Sequence, residues 1–208
     1  MGRGAVKPPA SYAALERLGR MRLSRHFYVR NFLNSEIGNL YGIPNLPDDP
    51  DLMIAAGRRL AEDLLEPLVE TFGPIEIRSG YRSPRVNAFG NARGHACAAN
   101  DRNWANHIWD RRDAEGRMGA CVSVVIPWFA DRYAAGEDWR VLAQWLHDHL
   151  PFHEVWVFPI NAALNLTWRE APERRVFSYV APRGRWRPDP DAPLCHGHFP
   201  PFRGIAYP

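Results

Sequence analysis

One short stretch of the sequence combines the residue types that bind an anionic group in proteins. Residues 75–79 have the composition of a strand, and they run into a turn that contains Gly80, Arg82 and Pro84. Turns carry functional side chains more often than the elements they connect. A guanidinium on such a turn can donate two parallel hydrogen bonds to a carboxylate. A guanidinium at this position is therefore suited to pairing with a carboxylate, either of a ligand or of an internal Asp or Glu.

A second group of candidate residues lies in the segment ANHIWDRRDAEGRMGACVSVV. His107 is followed by Asp110 and Asp113, three and six residues later. Imidazole and carboxylate groups are ligands for divalent metals, and this spacing allows either carboxylate to approach the metal that His107 would bind. Trp109 stands beside this charged run, and tryptophan with arginine is a composition typical of binding hot spots.

The stretch IEIRSGYRSPRVN resembles the strand-and-turn signature of the zinc D-Ala-D-Ala carboxypeptidases, which have the D,D-peptidase or hedgehog-like fold. The preceding segments FYVRNFLNSEIGNLYGIPNLP and LLEPLVETFGPI are similar to that family too, so the resemblance covers about residues 23–127. It implies an α+β domain with N-terminal helices packed on a mixed, mainly antiparallel sheet. It also implies that Arg82 reaches the carboxylate end of a peptide, in a groove formed with Tyr81, Ser83, His107 and Trp109.

The same resemblance implies three zinc ligands, and this chain matches only one of them. The family motif is Ser-x-His-x-x-Gly-x-Ala-x-Asp, in which His107 matches the histidine and, after an inserted stretch, Ser123 stands in place of the aspartate. The third ligand, a histidine in a late strand, corresponds to Asn165 in ALNLTWRE. Ala163 and Leu164 occupy the place of the general base. A neutral serine does not supply the charge of a carboxylate, and asparagine is a rare zinc ligand.

These substitutions predict that the zinc chemistry of the family is lost. Removing only a residue that orients a metal ligand costs roughly 10–100-fold in affinity or activity, and replacing two ligands costs far more. We therefore expect a D,D-peptidase-fold protein with a degraded zinc site and no bound cofactor. It would be a non-catalytic binding or structural module that engages a peptidoglycan stem peptide or another protein.

Two other functions remain open at this point. In the first, the chain is an active zinc D,D-carboxypeptidase or endopeptidase in which Asp110 or Asp113, with a further ligand such as His153, replaces the missing ligands. In the second, it is a structural component of a phage or phage-like particle, since a cell-wall-related fold without a signal peptide fits a protein released by lysis or carried in a virion.

The remaining histidines and cysteines are less suited to chemistry. His147 and His149 are two residues apart, so on a helix they diverge by about 200° and cannot face one ion. The group CHGH at residues 195–198 has metal-like spacing but lacks a second half. Cys121 lies in an apolar segment and is expected to be a core residue. Cys97 beside His95 would need an aligned base to act as a nucleophile.

Length and charge set further limits. With 208 residues the chain has room for one good-sized domain, which we place at 21–181, between a flexible N-terminal arm (1–20) and a Pro/Arg-rich extension (182–208). A net charge of +3 is too small to indicate nucleic acid. The sequence contains no signal peptide and no transmembrane run, which predicts a cytoplasmic or virion-associated protein without membrane insertion.

Hydrophobic periodicity and capping residues predict the main elements. A long amphipathic helix begins at Asp48 or Asp49, has Pro50 in its first turn, and ends at Gly73. Pro67 should kink this helix or start a new turn. The other expected elements are helices at 29–40 and 138–150, strands at 75–79, 120–126, 154–158 and 175–180, and an irregular segment at 89–119.

Overall fold

A computed structural model of the chain describes residues 6–188 and has an α+β architecture, which confirms the predicted class. The helices are α1 (Tyr12–Gly19), α2 (Glu36–Tyr41), α3 (Pro50–Leu60), α4 (Glu66–Phe72), α5 (Pro84–Ala92), α6 (Asn100–Asn103), α7 (Pro127–Ala134) and α8 (Trp139–His149). The strands are β1 (Glu76–Ser79), β2 (Gly119–Val125), β3 (Glu154–Val157), β4 (Leu164–Arg169), β5 (Arg175–Ser178) and β6 (Gly184–Trp186).

The six strands form one sheet in the order β1-β2-β4-β3-β5-β6. All neighbouring pairs are antiparallel except β3 and β5, which are parallel. Because side chains alternate along each strand, the sheet has two different faces. One face enters the core with Ala120, Val122, Val124, Val155, Val157, Leu164, Leu166, Trp168 and Val176. The opposite face, which we call the open face, carries Ser123, Asn165, Glu154, Trp156, Arg175 and Phe177.

The long amphipathic helix is confirmed, and it covers the core face of the sheet. Asp49 caps α3, because its Oδ1 accepts a hydrogen bond of 3.0 Å from the backbone N–H of Leu52. The residues on its apolar face are all completely buried: Met53, Ala56, Leu60, Leu64 and Leu68. A π-helical segment at Ala61–Leu65 separates α3 from α4. Pro67 is the second residue of α4, and its missing N–H gives a physical reason for the change in the hydrogen-bond ladder.

The helix predicted at residues 29–40 is wrong as a single element. The structure has a 3₁₀ turn at Val29–Phe32 and the separate helix α2. Ser35 lies between them in an extended conformation, and its Oγ accepts a hydrogen bond of 3.2 Å from the N–H of Gly38. Serine stabilises a helix start better than a helix interior, so the chain begins a new helix there.

The segment expected to be irregular at 89–119 contains the end of α5, all of α6 and a series of turns. Buried amides fix its path. Asn87 is completely buried, and its Nδ2 donates to the carbonyl of Ala98 at 2.9 Å and to Oδ1 of Asn100 at 2.8 Å. Nδ2 of Asn103 donates to Oδ1 of Asn87 at 2.7 Å. Polar side chains therefore take the place of a hydrophobic core in this part of the fold.

The two ends of the described chain add one element each. Helix α1 lies within the segment expected to be an arm, and its Leu18 is buried in the core cluster. Strand β6 lies within the expected C-terminal extension and pairs with β5. The group CHGH at 195–198 falls outside the described residues. Within residues 6–188, no helix combines the length and apolar character needed to cross a membrane.

Candidate functional site

A cleft of about 580 Å³ opens on the open face of the sheet, between the turn after β1 and the loop before β2. Arg82, His107, Ser123 and Asn165 all line it. These residues come from four separate parts of the sequence, and they are the positions that the family resemblance places at the carboxylate-binding arginine and the three metal ligands. The structure therefore brings the expected site together, with the substituted side chains in it.

Ser123 and Asn165 form the floor of the cleft. They are directly opposite each other on β2 and β4, and Oγ of Ser123 donates a short hydrogen bond to Oδ1 of Asn165. Both groups are neutral, and the serine hydroxyl and the amide oxygen are paired with each other. Zinc sites in proteins are built from cysteine, histidine and carboxylate ligands, so His107, Ser123 and Asn165 do not form such a set. Across residues 6–188, no group of three or more His, Cys, Asp or Glu side chains is placed to hold a metal.

His107 forms one wall of the cleft and is mostly buried. Its Nδ1 lies 3.1 Å from the carbonyl oxygen of Gly80. Since a carbonyl only accepts hydrogen bonds, Nδ1 carries the proton and Nε2 keeps its lone pair. Burial, with the positive charge of Arg82 nearby, lowers the pKa of His107 to about 4. The ring is therefore neutral at pH 7.

Arg82 is held in the cleft by neutral partners. Its Nη1 donates to Oδ1 of Asn87 at 3.1 Å and to Sγ of Cys97 at 3.1 Å. Its backbone N–H donates to the carbonyl of His107 at 2.8 Å, which ties the turn to the His107 loop. Within residues 6–188, no carboxylate forms an ion pair with Arg82, and no hydrogen-bond acceptor contacts its Nε or Nη2. Hence no ion pair with an Asp or Glu of residues 6–188 accounts for the position of this arginine.

Three residues expected in the groove lie in its supporting structure instead. Tyr81 is buried, and its Oη donates to Oδ2 of Asp110 at 3.0 Å; burial also raises the pKa of Tyr81. Ser83 caps α5, because its Oγ accepts from the N–H of Val86 at 3.2 Å. Trp109 is completely buried, and its Nε1 donates to the carbonyl of Cys121 at 3.0 Å. These side chains hold the turn and the loop in place but do not line the cleft.

The proposed substitute ligands are engaged elsewhere. Oδ2 of Asp110 accepts from the N–H of Asp48 at 2.8 Å as well as from Tyr81, and burial raises its pKa. The Asp113 carboxylate lies 3.0 Å from Nε of Arg117 and 3.4 Å from Nη1 of Arg169. Neither carboxylate is among the residues that line the cleft. The structure thus does not bring Asp110 or Asp113 together with His107.

The other candidate histidines and cysteines are also in structural positions. Nδ1 of His149 contacts the carbonyl of Trp145 at 2.9 Å, and Nε2 of His153 lies 4.0 Å from the Glu173 carboxylate. Cys121 lies in β2, where burial raises the pKa of its thiol to about 12. Cys97 donates its S–H to the carbonyl of His95 at 3.4 Å. His149, His153, Cys97 and Cys121 do not line the cleft, whereas His95 does.

Sequence reasoning missed the residues that position Arg82. Asn45 joins three segments, since its Nδ2 donates to the carbonyls of Leu33 at 3.1 Å and Tyr81 at 2.8 Å, and its Oδ1 accepts from the N–H of Ser83 at 2.7 Å. Asn87 supports the guanidinium directly. The available signal was the number of asparagines around the turn and in the aperiodic segment, where buried amides are the usual substitute for regular backbone hydrogen bonding.

Comparison with known proteins adds no relative. No protein-family model, no curated protein and no solved structure matches this chain. The ligand of the cleft must therefore be inferred from the residues that line it.

Proposed function

We propose that this chain is a non-catalytic binding module on a D,D-peptidase-like, hedgehog-like scaffold, and that its cleft binds the terminal carboxylate of a peptide. Peptides of the peptidoglycan stem type are the ligand class that the resemblance implies. Arg82 binds the carboxylate, while the Ser123–Asn165 pair forms a neutral polar floor beneath it.

The unpaired guanidinium of Arg82 is the observation that carries this proposal. A charge that is partly removed from water is normally paired, and here Nη1 contacts only neutral groups. The edge formed by Nε and Nη2 is the one that matches the two oxygens of a carboxylate. Arg78 also lines the cleft, so the described lining residues include two arginines and one acidic residue, Glu36. The cleft therefore favours an anion.

The same residues argue against hydrolysis at this site. A zinc-dependent peptidase needs a metal that polarises the carbonyl and activates water, together with a general base. At the three expected ligand positions the cleft offers one imidazole, His107, and neutral groups at the other two. Ala163 and Leu164 line the cleft at the place of the base, and neither can accept a proton.

Binding of N-acetyl-D-Ala-D-Ala and of its C-terminal amide, measured by isothermal titration calorimetry, tests the proposal. The wild-type chain should prefer the carboxylate, and Arg82→Gln should lose roughly 10–100-fold in affinity, since hydrogen bonds to charged groups contribute about 1.5–3 kcal/mol. Arg85→Gln is the matched control, because Arg85 is an exposed residue of α5 that does not line the cleft. Equal affinities for the carboxylate and the amide would refute carboxylate binding.

Metal content and turnover test the non-catalytic part separately. The chain should retain less than one equivalent of zinc after dialysis against micromolar zinc, and it should release no D-alanine from the same peptide. One tightly bound zinc per chain together with turnover would establish the enzyme alternative in its place.

A further inference from the structure

One row of side chains crosses the whole open face of the sheet. In each neighbouring pair of strands the register places two of these residues directly opposite each other. From β1 to β6 the row is Ser79, Ser123, Asn165, Trp156, Phe177 and Arg185. It begins with the polar floor of the cleft, continues through aromatic residues and ends at an arginine. The cleft is thus one end of a longer surface, which we call the cross-strand track.

The middle of the cross-strand track is a group of aromatic rings. Trp156 stacks on Phe177 with ring centroids 4.6 Å apart and planes inclined by 15°. Tyr179 lies 5.1 Å from Trp156 and 5.2 Å from Phe158. Phe158 also lines the cleft, and Tyr179 is 49% exposed. An apolar surface therefore continues from the carboxylate-binding cleft without interruption.

The far end of the track is positively charged. Arg185 is exposed, and among residues 6–188 no carboxylate forms an ion pair with it. The acidic side chain nearest to the rings, Glu154, is already paired with Arg175 at 3.0 Å and accepts from Nε1 of Trp156 at 2.7 Å. Among residues 6–188, no carboxylate is paired with the arginine at either end of the track, Arg82 or Arg185, and the rings lie between them.

We infer that the cross-strand track binds an extended peptide whose C-terminal carboxylate lies at Arg82, whose apolar side chain lies on the rings, and whose upstream acidic group lies at Arg185. This inference rests on the proposed carboxylate-binding function of the cleft. Asn165 and Arg185 are three strands apart, which corresponds to about 14 Å at ~4.8 Å per strand. An extended chain advances about 3.3 Å per residue, so four to five residues span this distance.

The arrangement of the rings favours an apolar side chain over a nucleic-acid base or a sugar. A base or a sugar binds by covering the free face of an aromatic ring. Here Trp156 and its neighbours place their faces against one another, at inclinations of 15° and 28°. The ring face of Trp156 is therefore occupied by its neighbours, which favours contact with an apolar side chain over stacking of a base or sugar on this ring.

Two acetylated pentapeptides with free C-terminal carboxylates test this inference by fluorescence anisotropy with the full chain. Both carry glutamate at the first position, and the third position is phenylalanine in one and serine in the other. We expect the wild type to bind the phenylalanine peptide about tenfold more tightly, which is the range of a moderate interface contact. Tyr179→Ser should remove most of this preference. Tyr12→Ser is the matched control, because Tyr12 is exposed on α1 and lies outside the track.

The acidic end is tested in the same assay with Arg185→Gln, which should weaken binding of the glutamate peptide and leave a peptide with glutamine at that position unaffected. If N-acetyl-D-Ala-D-Ala binds through Arg82 but neither variant changes the pentapeptides, the track is refuted and the carboxylate function stands. If the pentapeptide preference depends on Tyr179 while a peptide and its amide bind equally well, the contact with the rings stands, but the placement of the C-terminal carboxylate at Arg82 fails together with the carboxylate function. Binding of chitotetraose or oligo-dT that Tyr179→Ser abolishes would overturn the peptide assignment.

Discussion

Protonation of His107 should destabilise the fold at mildly acidic pH. The imidazole is buried at the wall of the cleft, and its pKa falls from an ordinary value of 6.5 to about 4 in the folded chain. Between these two values the unfolded state binds a proton that the folded state does not, so stability is lost as the pH falls from about 6.5 toward 4. From pH 7.5 to pH 5 the loss works out at about 2 kcal/mol for this group alone.

Urea unfolding followed by tryptophan fluorescence measures this effect at pH 7.5 and at pH 5, which is above the range where most carboxylates titrate. Wild type and His107→Gln are compared, since a glutamine amide can still donate a hydrogen bond to the carbonyl of Gly80. The acid-induced loss should be smaller in His107→Gln by about 2 kcal/mol. His95→Gln, which changes an exposed histidine of the same cleft, should lose as much stability as the wild type. An equal loss in wild type and His107→Gln would refute the reasoning.

Two further predictions concern the turn and the buried thiol. In Gly80→Ala the new Cβ would lie 2.8 Å from Cβ and 3.0 Å from Cα of Phe32. Because the backbone must move, we expect the free energy of unfolding in urea to fall by about 1–3 kcal/mol and carboxylate binding at Arg82 to weaken. Unchanged binding would show that the turn is not rigid. In the double variant Cys97→Ser/Cys195→Ser, Cys121 is the only cysteine. Because burial raises the pKa of this thiol to about 12, its reaction with a disulfide reagent at pH 8 should be roughly a thousandfold slower in the native chain than in urea. Rapid labelling of the native chain would contradict the burial of Cys121.

Elements with strong local signals were predictable. The helix that begins after Asp49 was predictable because a capping carboxylate, a proline in the first turn and a one-sided apolar pattern all indicate a helix there. Strands β1, β2, β3 and β5 were expected for the same kind of reason. By contrast, β6 and α7 carry weak local patterns, and β4 was expected only through the family resemblance. The helix predicted at 29–40 failed because apolar spacing continued across Ser35, where capping chemistry starts a new helix.

The site shows the same division. Arg82, His107, Ser123 and Asn165 could be selected from their residue types and from motif positions, and all of them line one cleft. Sequence spacing does not tell which side of a loop faces the core. It therefore could not predict where the side chains of four loop residues lie: Tyr81, Trp109, Asp110 and Asp113. Tyrosine and tryptophan can bind a ligand or satisfy a buried polar group with equal chemical justification.

The sequence by itself determined the residue types: an arginine on a turn, a single histidine at the expected ligand positions, and neutral groups at the other two. Only the tertiary structure decided which charges are left unpaired. Asp110 accepts hydrogen bonds from a backbone amide and from Tyr81, and Asp113 is paired with arginines. By contrast, Arg82 and Arg185 contact no carboxylate within residues 6–188. Pairing of charges depends on the register of distant strands and on the path of irregular loops. Both are fixed by long-range packing and buried amide hydrogen bonds, and neither can be read from local sequence.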